Sequence, residues 1–123
     1  MEFDELSNRV IGCAIEVHRQ LGPGLLESAY QRCLEYEFLT SQIQFHPQKD
    51  IPIAYKGVDL DNGYRVDFLV ENELILELKA VDEVHSVHEA QLLTYMKLAR
   101  IKTGLLINFN VKWLKEGIRR FVL

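Results

Sequence analysis

Apolar residues recur every third or fourth position at the start of the chain, at Phe3, Leu6, Val10, Cys13, Val17 and Leu21. This spacing predicts an amphipathic helix over residues 2–21. Gly22-Pro23-Gly24 ends it. A second helix is expected over about residues 25–41, with Leu26, Tyr30, Cys33, Leu34 and Phe38 in helical register. From Ile43 to Lys79 the period changes to two. Ile43 and Phe45 open one strand, and Ile51, Ile53 and Tyr55 form another, with Pro47 and Pro52 marking edges or bends. Lys56-Gly57 and Asp61-Asn62-Gly63 read as turns. Residues 64–70 and 74–80 are the strongest strands, joined by Glu71-Asn72-Glu73. Helical spacing returns over residues 86–100, and TGLLIN at 103–108 is apolar enough for a buried central strand. The tail holds a short helical turn after Trp113 and a last strand at 118–122. Without repeats or linkers, residues 1–123 are expected to form a single α/β domain: a mixed central sheet flanked by helices, with an N-terminal helical pair.

Composition narrows the class. At 123 residues, with 48% hydrophobic and 26% charged, the chain has material for one sizeable core and is too apolar for general disorder. No apolar run approaches the roughly 20 residues of a membrane span, so no membrane partner is expected. The acidic start MEFDELSNRV is unlike a signal peptide, and two cysteines fit reduced thiols in a cytoplasmic protein. Cys13 and Cys33 both fall on core-facing stripes and read as buried, inert thiols. Net charge is −4, but it is uneven: the last 28 residues carry +6 and the first 95 carry −10. A basic end on an acidic body is either a footprint for phosphate or a solvated face.

A hairpin centred on Asn72 would set Val66 against Leu78, Phe68 against Leu76 and Val70 against Leu74 on an apolar, core-facing side. The other side would pair Arg65 with Lys79, Asp67 with Glu77 and Leu69 with Ile75. Two carboxylates directly opposite each other destabilise a sheet unless a cation lies between them. Lys79 offers one, and a divalent ion with carboxylate, water and phosphate ligands is another. A solvated cluster of Asp67, Glu77 and Lys79 is the plain alternative.

These residues resemble a known family. Asp67, nine intervening residues and Glu77-Leu78-Lys79 are similar to the PD-(D/E)XK core of restriction-endonuclease-like nucleases. Gly24-Leu25-Leu26-Glu27-Ser28-Ala29-Tyr30 resembles the GxxExxY signature of a small family within that superfamily. The likeness extends through YRVDFLV, LELKA, EAQLLTYMK and GLLINF. It implies a restriction-endonuclease-like fold and a nuclease that hydrolyses phosphodiester bonds of nucleic acid, DNA foremost, with Mg²⁺ (or Mn²⁺). On that resemblance Asp67 and Glu77 bind the metal, with the Leu78 carbonyl a further ligand and Glu27 completing the site. Lys79 positions the attacking water, and Gln91 and Tyr95 line the substrate side, where Arg65 is also placed. Val66 stands where the motif has its proline. The runner-up is an inactive nuclease-fold module that binds nucleic acid or a protein partner; a hydrolase of another phosphate ester is a third reading.

Other features carry less chemistry. His85 and His88 form an HxxH, but no third and fourth zinc ligands accompany them. Tyr30 reads as core and Trp113 as a packing anchor. Gly22-Pro23-Gly24 lacks the lysine and hydroxyl of a phosphate loop. A homodimer is expected if duplex is bound, because so small a domain covers little of it.

Overall fold

Asp4 starts the first helix, α1 (Glu5–Leu21), by accepting hydrogen bonds from the Ser7 amide at 3.0 Å and the Ser7 hydroxyl at 2.6 Å. The helix begins later than the apolar spacing predicts. Met1 and Glu2 lie outside the residues that the computed structural model describes, which are 3–123, with backbone alone at Asp61 and Asn62. Gly22 closes α1, and α2 (Glu27–Thr40) follows. Five strands then form one sheet in sequence order: β1 (Phe45–Tyr55), β2 (Val58–Val70), β3 (Leu74–Lys79), β4 (Thr103–Asn108) and β5 (Ile118–Val122). A third helix, α3 (Ser86–Ala99), carries the chain from β3 to β4, which are therefore parallel; the other neighbours are antiparallel. This is the expected mixed sheet with its N-terminal helical pair. Among the described residues no helix is long and apolar enough to cross a membrane.

The β1–β2 region departs from expectation. The two predicted strand pieces fuse into β1, and β2 runs straight through Asp61-Asn62-Gly63. The turn is at Lys56-Gly57 alone, where φ of 50° and 80° give the left-handed pair that suits a two-residue hairpin. Gly63 serves a different need. The register shifts between Ile51 and Ile53, and a Cβ on Gly63 would collide with the Ile51 carbonyl oxygen. The glycine marks a bulge with close backbone approach.

The sheet is buried on both faces, where the hairpin pattern predicts one core side. Under α1 and α2 lie Phe68, Val70, Leu74, Leu76, Leu78, Leu105 and Ile107, packed on Val10, Ala14, Tyr30, Leu34 and Phe38. Under α3 lie Ile51, Val66, Leu69, Ile75 and Leu106, packed on Leu92, Tyr95 and Met96. Val66 is thus on the opposite face from Phe68. The alternation breaks where Gln48, opposite Asp67, has φ of 51° and the Gln48–Asp67 pair is missing from the ladder that runs from Phe45–Val70 to Ile51–Tyr64. Two further expectations change. Cys13 is buried and its thiol pKa is raised by that burial, but Cys33 is only half-buried. Trp113 is 59% exposed and anchors no core.

Tyr30 explains why the segment from Gly24 to Tyr30 holds its shape. Its ring is fully buried and stacked on Phe109 at 4.4 Å. Its hydroxyl donates to the Gly22 carbonyl at 2.6 Å and accepts from the Leu25 amide at 3.2 Å. Gly24, at φ 99°, lets the loop fold back over that hydroxyl. The loop then delivers Glu27 at the start of α2. Tyr30→Phe keeps the packing and removes both bonds, leaving the Gly22 carbonyl and the Leu25 amide without this partner. Chemical denaturation should show a loss of about 1–3 kcal/mol; unchanged stability would mean the loop does not depend on this hydroxyl.

Candidate active site

The β2–β3 ladder holds the predicted register at Val70–Leu74, Leu69–Ile75 and Phe68–Leu76, and then stops. Beyond it the strands part, and side chains take over the bridging. The Asp67 amide donates to Glu77 Oε1 at 2.9 Å, and the Leu78 amide donates to Asp67 Oδ2 at 2.7 Å. Each acid accepts a backbone donor from the opposite strand. Asp67 is also out of the β1 ladder, and its carbonyl accepts from Gln31 Nε2 of α2 at 3.2 Å. The Val66–Leu78 and Arg65–Lys79 pairs expected from the hairpin are therefore not made. Arg65 instead pairs with Asp50 across β1 at 3.0 Å, with both side chains exposed.

This arrangement leaves specific oxygens free. Glu77 Oε2 has no hydrogen-bond partner among the described residues, and Asp67 Oδ1 has only a long 3.4 Å contact from Gln48 Nε2. Among the described residues no buried polar side-chain atom lacks a partner, so Glu77 Oε2 reaches solvent. In a strand, the amide and carbonyl of one residue leave on the same side. The Leu78 carbonyl therefore faces the same gap as its amide. Lys79 turns its backbone the other way, and its carbonyl accepts from the Phe109 amide at 2.8 Å.

The acids share one electrostatic environment. Burial pushes Glu77 up to about 8, and the neighbouring Asp67 charge adds to the rise; the Asp67 amide and Lys79 act against it. Burial also raises Asp67, opposed by the Leu78 amide, Gln48 and Lys79. Glu27 is raised by partial burial, with Lys79 lowering it and Asp67 raising it. Among the described residues no three His, Cys, Asp or Glu side chains close around a single ion position. Glu27 is near enough for its charge to act on Glu77 and to feel those of Asp67 and Lys79. Two carboxylates with one open oxygen each, plus a carbonyl facing the gap, still suit a hard cation that keeps several waters.

Helix α3 closes the other face. Tyr95 is buried, packs against Tyr64 at 5.6 Å, and has its phenol pKa raised by burial and by Glu77 and Asp67. Gln91, one turn earlier, is exposed and makes no hydrogen bond among the described residues. His85 and His88 start the helix: the His85 amide donates to His88 Nδ1 at 3.1 Å, and the His85 ring caps in return. Burial lowers the His88 pKa, and the Lys79 and His85 charges add to that.

Three supporting residues escape the sequence reading. Gln31 lies one turn after Glu27 on the same face of α2, a spacing that was legible. Asn108, the one polar residue ending an apolar strand, sits in register with Lys79 and exchanges two bonds with the Val81 backbone at 2.9 and 3.1 Å. Gln48 carries no signal, because glutamine does not favour the left-handed backbone it adopts.

A mixed sheet, a helical pair on one face and two acids with a lysine at a strand break make a restriction-endonuclease-like α/β fold. A family model described as the PD-(D/E)XK nuclease superfamily matches residues 4–121, and the chain belongs to that superfamily. No curated protein and no solved structure matches it.

The raised Glu77 makes stability depend on pH. Between the ordinary 4.5 and about 8 the folded chain keeps a proton that the unfolded chain has released. Metal-free stability should therefore fall as pH rises through that window, with a slope approaching about 1.4 kcal/mol per pH unit, and level off above it. Glu77→Gln should flatten the slope in denaturation curves taken from pH 5 to 9. An equal slope in the variant would remove Glu77 as its source.

Proposed function

We propose that this chain is a Mg²⁺- or Mn²⁺-dependent nuclease that hydrolyses phosphodiester bonds of DNA, in the GxxExxY branch of its superfamily. The observation that carries this reading is the mutual grip of Asp67 and Glu77 across the parted strands, which leaves Glu77 Oε2 unbonded among the described residues and Asp67 Oδ1 with only a long contact from Gln48. Asp67, Glu77 and the Leu78 carbonyl would hold the ion, with Glu27 completing the site. When bound, the ion offsets negative charge building on the phosphoryl oxygens. Its charge also lets Glu77 ionise at neutral pH, against the burial that otherwise keeps it protonated.

The chain's own groups do the rest. Water adds to phosphorus and the bond to the leaving sugar oxygen breaks. The Lys79 ammonium, one residue past the ligand carbonyl, orients the water or stabilises the phosphoryl charge. Among the described residues it forms no ion pair, which leaves it available for that role. Tyr95 and Gln91 line the side where substrate lies, and Arg65 contacts phosphate on exchanging Asp50 for it. The two thiols are free, which suits a cytoplasmic setting. Two copies acting as a homodimer would span more duplex than one.

Labelled single- and double-stranded DNA incubated with Mn²⁺ tests the reading. Cleavage should fall at least about 100-fold in Lys79→Ala and in Glu77→Ala. Wild-type protein that binds DNA without cutting it would instead support the inactive module. The metal site has its own readout. At a metal concentration about 100-fold above Kd, the stabilisation is about 2.7 kcal/mol, on the order of 10 °C in Tm. Asp67→Asn should blunt that rise; an equal rise in the variant would place the ion elsewhere.

A further inference from the structure

A groove on the surface is walled by segments that adjoin residues of this site in the chain. About 770 Å³ in volume, it runs between the end of α1, the Gly22-Pro23 loop and residues 112–116. Trp113 stands in it with 59% of its surface exposed, next to Ile15, itself 47% exposed, and Pro23. An indole left open beside other apolar groups is costly in water. Arg19, Lys112 and Lys115 line the groove against one acid, Glu116. Lys112 Nζ sits 5.6 Å from the indole centroid, and Arg19 also pairs with Glu16. Elsewhere in the basic tail, Arg119 is tied to Glu89 and Arg120 to Asp4. The lysines around Trp113 are not held in this way.

Both walls are continuous in the chain with residues of the candidate active site. The loop holding Pro23 delivers Glu27 four residues later. On the other wall, Phe109 bonds to the Lys79 carbonyl and Trp113 follows four residues on. A 2.8 Å contact between His18 Nε2 and the Val111 carbonyl joins the walls. Exposed aromatic surface among cations is the pattern that takes an unpaired nucleobase and its phosphate together. A base within a duplex is already stacked on its neighbours and cannot offer its face.

We infer that this groove binds the single strand of nucleic acid on one side of the cut, with a base stacked on Trp113 and phosphates on Lys112 and Lys115. The inference rests on the nuclease reading for its substrate, but its test does not need cleavage. Trp113 is the chain's one tryptophan, so its fluorescence reports this groove alone. In EDTA, an oligothymidylate of about ten nucleotides should quench the emission saturably, with added salt weakening the effect. By anisotropy of the labelled oligonucleotide, Trp113→Ala should bind about 5- to 150-fold more weakly. Trp113→Phe, which keeps an aromatic face, should lose less. Lys112→Ala with Lys115→Ala should flatten the salt dependence.

Unperturbed emission on oligonucleotide binding, or equal affinity in Trp113→Ala, would overturn the inference. So would equal quenching by polyglutamate, which has charge but no bases. Quenching without any metal-dependent cleavage would leave the groove standing and remove the nuclease reading. Cleavage with unperturbed emission would do the reverse.

Discussion

Two backbone amides hold this fold's chemistry in place. Where β2 and β3 part, their hydrogen-bonding groups would be left open, and Asp67 and Glu77 fill the gap by each accepting an amide from the opposite strand. The bond to Asp67 is charge-assisted when that acid is ionised, which puts it among the stronger ones in a protein. The two bonds fix two acids side by side despite their repulsion. The cost appears as a proton held on Glu77, and that cost is what a cation would relieve.

The surrounding structure fixes the position of that pair. β3 is flanked by a full parallel ladder to β4, so Glu77 and Lys79 project from a strand with little freedom. The helical pair supports it from one face, where Tyr30 ties the loop that brings in Glu27 and Gln31 steadies the Asp67 carbonyl. From the other face α3 brings Tyr95, whose pKa is raised by burial and by the Glu77 and Asp67 charges. Asn108, clasping the backbone just past Lys79, keeps the chain from swinging away as it leaves the sheet. Elements from both layers thus converge on one opening.

Much of this was legible in the residues. Alternation around Glu71-Asn72-Glu73 was enough to set the hairpin register, and three ladder pairs carry it. The apolar run at Thr103–Asn108 marked a buried strand correctly. The failures have physical causes. Asp61-Asn62-Gly63 resembles a turn because glycine marks close backbone approach and tight turning alike. The second core was not read from the hairpin because only one of its faces was identified as core, although Leu69 and Ile75 on the other face needed cover. Asp67 and Glu77 as neighbours followed from register, but their grip on each other's strands did not. It depends on the left-handed backbone at Gln48, a tertiary outcome that no local propensity announces.

The central claim is that the opening between Asp67 and Glu77 holds a divalent ion. A crystal soaked in Mn²⁺ and measured for anomalous scattering tests it most directly. The expected result is one peak within coordination distance of Asp67 Oδ1 and Glu77 Oε2. A well-ordered crystal with Mn²⁺ bound at other sites and none between these two oxygens would contradict it.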